Sequence, residues 1–181
     1  LLKNIARGRL RLKTLTTALF LRSVCPSKVD ILWENNMAGA KELLETAKGI
    51  RLLYVEDDQN LREDTLRLLS TFFQKITVAE NGKEAFENYQ PGRYDIVISD
   101  LIMPMMSGSE LTKRIKALNP EQIIVILSAH DEMAIVNELN DAGVDFFIFK
   151  PLEINQFINI LYDSCLMVRK RAETKHTPNP A

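Results

Sequence analysis

From Gly49 onward, short apolar runs alternate with segments of helical period, and this constrains the chain more than any other feature. Ile50 to Val55 is a mostly apolar run ending in acids, which reads as a buried strand. Residues 59–73 follow at helical spacing, with Leu61, Thr65, Leu68, Leu69 and Phe72 on one face. Ile76 to Ala79 forms a second strand, and Asn81, Gly82 and Glu84 open a short helix carrying Ala85, Phe86 and Tyr89. Tyr94 to Ser99 is a third strand. Ser107 and Glu110 cap a helix whose Leu111, Ile115 and Leu118 face inward, and Asn119-Pro120 ends it. Ile123 to Leu127 is a continuous aliphatic run suited to a central parallel strand. A helix from about Asp131 stops at Gly143, Phe146 to Phe149 is a fifth strand, and a last helix runs from about Glu153 to Lys170.

Five strands alternating with five helices in about 120 residues imply a parallel sheet covered on both faces. In open sheets of this kind, sites lie beyond the carboxyl ends of the strands. The first strand ends in Glu56, Asp57 and Asp58, the third in Asp100, the fourth in Ser128 and the fifth in Lys150-Pro151. Taken singly, these are ordinary caps, turn residues and solvated charges. Brought to one sheet edge, they surround a crevice with carboxylates, a hydroxyl and an ammonium. Clustered carboxylates repel, and a hard divalent cation relieves that repulsion. Magnesium typically takes one or two carboxylates plus a phosphate, so the set suggests a metal-assisted phosphoryl site in which a carboxylate is the nucleophile.

The order Leu53-Tyr54-Val55-Glu56-Asp57-Asp58, Asp100-Leu101-Ile102-Met103-Pro104 with Ser107-Gly108, Ser128-Ala129 and Lys150-Pro151 resembles the response-regulator receiver family over about residues 50 to 170. The resemblance implies a doubly wound, flavodoxin-like α/β fold with a five-stranded sheet in the order 2-1-3-4-5. It implies that Asp100 is the phosphoacceptor. Asp57 is then a direct Mg2+ ligand, Glu56 holds the ion through water, and the Ile102 backbone carbonyl completes the metal site. Ser128 is the switch hydroxyl, Lys150 pairs with the phosphoryl oxygens, and the Lys150-Pro151 bond is cis. Asp58 reads as a cap for the first helix of the domain. Phe147 occupies the aromatic switch position, where a ring without a hydroxyl should favour burial. Ile102, bulky and apolar, should shield the phosphoryl group from water, and His130 is a second candidate beside that path.

By the same resemblance, a sensor histidine kinase or a phosphotransfer protein is the donor, and the domain catalyses its own phosphorylation and slow dephosphorylation. A downstream target or a second copy is expected to meet the last helices, where Ile158, Tyr162 and Cys165 make a second apolar line beside Ile154, Phe157, Leu161, Ser164 and Val168. A receiver fragment of a longer protein with an enzymatic or DNA-binding output is the alternative. A flavin or nucleotide binder of the same fold is disfavoured, because Glu56-Asp57-Asp58 would repel a phosphate where its binding loop should be.

Outside the domain, residues 1–36 are basic, with no acid before Asp30, and are expected to be disordered or foreign to the native product. Residues 37–49 form a leading helix starting near Met37, and residues 171–181 a disordered tail. Cys25 and Cys165 lack metal or redox spacing. With a formal net charge of -1, the domain is no nucleic-acid binder, and no apolar run reaches the ~18 residues that span a bilayer. The expected location is the cytoplasm.

Overall fold

The computed structural model describes residues 39–129 and 136–176. The basic segment 1–36, Cys25, Met37, His130 and residues 177–181 lie outside them, so the expectations placed there stay as stated.

A leading helix, α1, covers 39–46. The order then runs β1 (Arg51–Val55), α2 (Gln59–Phe72), β2 (Lys75–Ala79), α3 (Gly82–Asn88), β3 (Ile96–Asp100), α4 (Gly108–Leu118), β4 (Ile123–Ala129), α5 (Val136–Asp141), β5 (Phe146–Lys150) and α6 (Ile154–His176). All neighbouring strands are parallel, in the order β2-β1-β3-β4-β5. This is the expected doubly wound sheet.

Side chains alternate across a strand, so a sheet covered on both faces needs apolar residues at every central position. Leu52 and Tyr54 of β1, Ile96 and Ile98 of β3, and Ile123, Val125 and Leu127 of β4 join one core with Leu69 and Phe72 of α2 and Phe157 and Leu161 of α6. Their neighbours Leu53, Val55, Val97, Ile124 and Ile126 face a second core with Ala85, Leu111, Ile115 and Leu139. The helix signals hold at the expected residues. Asp58, Asn81 and Ser107 cap α2, α3 and α4 through their side-chain oxygens. Gly143, at φ +89°, follows the end of α5 in the left-handed conformation that glycine favours.

Four expectations need correction. Leu61 and Leu118 are 47% and 54% exposed rather than inward, because they sit in the first turn of α2 and the last turn of α4, at the ends of the face each helix lays on the sheet. The last helix continues to His176, so residues 171–176 are not a loose tail. Arg171 anchors part of that extension, reaching the carboxylate of Asp145 at 3.4 Å. Finally, Ile158 and Cys165 are buried in the same core as Leu43 and Ala47, with Ala40, Leu44 and Tyr162 packed against it. The second apolar line of α6 thus belongs to the same core that the chain's own leading segment joins. Arg169 fastens the two together, donating to the carbonyls of Thr46 at 3.1 Å and of Lys48.

Candidate phosphoacceptor crevice

Parallel strands in register bring their carboxyl ends together. Val55 lies beside Ser99, Asp100 beside Leu127, and Ala129 beside Lys150. Residues distant in sequence therefore reach one edge. Lys150 Nζ lies 2.5 Å from Asp100 Oδ1 and 3.0 Å from Glu56 Oε2. Glu56 is buried (2% exposed), and Asp100 is close to that (9%). Glu56, Asp57 and Asp100 each present a carboxylate oxygen within 4.8 Å of the other two.

The electrostatics follow from that crowding. Burial raises the Glu56 pKa, and the charge of Asp100 raises it further, so that the hydrogen bond from Lys150 does not bring it back. Burial works against the Lys150 ammonium, but hydrogen bonds and charge from Asp100 and Glu56 outweigh it, and the Lys150 pKa is raised. Among the described residues, Lys150 thus faces two buried acids, with Asp57 exposed at their rim. An all-oxygen donor set carrying more negative than positive charge matches a hard divalent cation such as Mg2+.

The other expected residues lie close by in the chain. Ser128, 2% exposed, is the penultimate residue of β4 and donates its hydroxyl to the Ala129 carbonyl at 3.2 Å. Phe147 is half-buried against the second core, less enclosed than a plain apolar ring would favour, because β5 is an edge strand. The Lys150-Pro151 bond is cis. Ile102 stands in the loop after β3 with its side chain 63% exposed, so in this conformation the side chain is largely in solvent. That loop is tightly held: Gly108 N donates to the Leu101 carbonyl at 2.8 Å, and a Cβ on Gly108 would stand 2.3 Å from the Asp100 carbonyl oxygen.

One residue escapes the sequence reading. Arg62 looks like a solvated charge in the second turn of a helix, yet its side chain is only 13% exposed. Its Nη1 donates to the carbonyls of Glu56 and Asp57, each at 2.9 Å, and Nη2 to Glu80 at 3.1 Å. Its spacing from the acids, one turn beyond the Asp58 cap, is the one signal that could have pointed to it.

A sequence model of the response regulator receiver domain matches residues 52–162. A cyclic di-GMP phosphodiesterase of Thermotoga maritima is 36% identical over 103 residues, which make up 57% of this chain and 27% of that protein. The response regulator MprA of Mycolicibacterium vanbaalenii is 29% identical over 109 residues, covering 60% of this chain and 47% of its own length. Two-component response regulator 24 of Arabidopsis thaliana is 32% identical over 125 residues, 68% of this chain and 90% of that protein. The chain thus spans about a quarter of the first of these and about half of the second. Among solved structures, the N-terminal domain of an uncharacterized protein from Wolinella succinogenes superposes with a TM-score of 0.61 at 29% identity, over 71% of this chain and all of that one. A response regulator receiver domain from Clostridium thermocellum, at 20% identity, shares the fold with the same TM-score over 69% of this chain and 98% of its own. The family match covers the sheet from β1 into α6, and this chain belongs to the response-regulator receiver family.

Proposed function

We propose that the domain accepts a phosphoryl group on Asp100 from a phosphohistidine of a sensor kinase or a phosphotransfer protein. The observation that carries this reading is the contact of Lys150 Nζ with Asp100 Oδ1 at 2.5 Å, beside two further carboxylates. An oxygen of Asp100 attacks the phosphorus. A new P–O bond forms as the P–N bond breaks, and the imidazole nitrogen leaves with the electron pair. Lys150 stands where it can pair with a phosphoryl oxygen and release its hold on Asp100. Mg2+, held by Asp57, Asp100, the Ile102 carbonyl and Glu56 through water, would supply the opposing positive charge for the phosphoryl oxygens.

Ser128 is the residue that turns its hydroxyl from the Ala129 carbonyl toward the new phosphoryl group, and Phe147 follows on β5. Phosphorylation then shifts an existing equilibrium between two conformations rather than creating a new one. The output belongs to a partner or to a further domain. The length of the Thermotoga relative favours a further domain, and the near-complete coverage of the Arabidopsis relative favours a partner. No helix among the described residues is long and apolar enough to cross a membrane.

The test is incubation with acetyl phosphate and magnesium, followed by intact mass. The expected result is a gain of one phosphoryl group that needs magnesium and is lost in Asp100→Asn. Undiminished labelling of that variant would overturn the assignment.

A further inference from the structure

Carboxylates that are to share a cation must be held close together before it arrives, although they repel one another. The side chains of Glu56 and Asp57 hang from the turn between β1 and α2, where Glu56 N keeps one last bond to the sheet, to the Ala79 carbonyl at 3.3 Å, and the chain then leaves it. Something must fix that turn. Asp58 fixes its far side, accepting from Leu61 N at 2.8 Å, while its carbonyl accepts from Arg62 N at 2.8 Å. The near side carries the two carbonyls on which Arg62 closes.

We propose that Arg62 is a positioning residue of the metal site, a two-pronged clamp that sets the backbone of Glu56 and Asp57 so that their carboxylates converge on Asp100. Three observations carry this. The same guanidinium nitrogen bonds both consecutive carbonyls at 2.9 Å. The guanidinium is almost enclosed, although long charged side chains on a helix ordinarily reach solvent. Its acidic partner, Glu80, is 69% exposed, and an exposed pair contributes too little to justify that burial. The carbonyls, not the carboxylate, are therefore the purpose of the contact. A guanidinium serves both carbonyls through Nη1 while Nη2 reaches Glu80, three acceptors that a single ammonium on a shorter stem does not span in this geometry. The inference rests on the metal reading proposed above, and it extends that reading from the ligands to the residue that orients them.

Magnesium titrated alone into the unphosphorylated protein, followed by isothermal titration calorimetry, tests the clamp. Arg62→Met keeps the packing stem and removes both prongs. Its magnesium Kd should rise roughly tenfold or more, the usual cost of losing a group that orients metal ligands. Arg62→Lys should recover part of the loss. Arg51→Met serves as a control. Arg51 makes a comparable contact with Asp95 at 2.7 Å, at the opposite ends of the strands, so its loss should lower the melting temperature while leaving the magnesium Kd within about twofold. If Arg62→Met binds magnesium as tightly as the parent, or if Arg51→Met weakens binding equally, the clamp is refuted. Should Arg62→Met fail to fold, a parent-like Kd in Arg62→Lys, which lacks the guanidinium and its reach, would also count against it. A parent protein that binds no magnesium refutes the metal reading itself, a separate outcome.

Discussion

Lys150 Nζ lies between Asp100 Oδ1 and Glu56 Oε2, at 2.5 and 3.0 Å, so a residue from the last strand holds the acids of the third and first strands together. The pairing joins three strand ends and compensates two buried negative charges with one positive charge. On the proposed function it also makes the site a poised one, because Lys150 already touches the carboxylate proposed to take the phosphoryl group.

Removal of that lysine should therefore cost stability. Lys150→Met leaves Glu56 and Asp100 facing one another without the Lys150 ammonium, a loss of about 1–3 kcal/mol after allowance for partial solvent access. The raised pKa of Lys150 sets the sign. Its contribution is present below the ordinary lysine value and is lost as pH rises through the folded one. Denaturant melts at neutral and strongly alkaline pH should show the gap between parent and variant closing at the alkaline end. A gap that widens there contradicts the pairing.

Glu56→Gln should act in the opposite direction. A carboxyl pKa raised by burial and by Asp100 means that the fold favours the protonated form. Its favourable contribution is present below the unfolded value, near 4.5, and is lost as pH rises through the folded value. Where Glu56 is ionised, its charge thus weighs against folding. The metal-free variant should melt about 2–4 °C higher than the parent at pH 7. The gain should shrink toward zero near pH 4. A variant melting below the parent at pH 7 would contradict the electrostatic argument.

Gly108→Ala probes the loop beneath Asp100, the proposed phosphoacceptor. The added Cβ would stand 2.3 Å from the Asp100 carbonyl oxygen and 3.1 Å from Leu101 Cα, both backbone atoms that cannot step aside. A destabilisation of about 1–3 kcal/mol is expected, as for other overpacked sites, with slower labelling by acetyl phosphate because Asp100 is displaced. Parent-like melting and labelling would show that the loop adapts.

Leu43→Ala tests whether the leading helix belongs to the domain. Leu43 is fully buried in the first core, in the same cluster as Ile158 and Cys165. The loss should be about 2–5 kcal/mol, comparable with a central core leucine. A chain beginning at Ile50 should show Cys165 reacting with a thiol reagent in the native state, whereas the longer protein resists. Equal reactivity at Cys165 itself, read with Cys25→Ser in the longer protein, would mean that α1 does not cover α6.

Much of this was legible in the residues themselves. The apolar run on β1, the β-branched runs on β3 and β4, the caps Asp58, Asn81 and Ser107, and Gly143 after α5 are local signals, each set by backbone chemistry within a few positions. The acids and Lys150 were legible as a set because a parallel sheet delivers every strand's carboxyl end to one edge. Tertiary packing decided the rest. Period alone could not tell that Leu61 and Leu118 would lie in exposed end turns, nor that α1 would join the core to which the second apolar line of α6 belongs. An apolar line reads the same whether its partner is the sheet, another helix or another chain. Arg62 was illegible for a similar reason: a charged side chain in a helix ordinarily points to solvent, and only the turn before α2, folded back over it, supplies the two carbonyls that hold it inside.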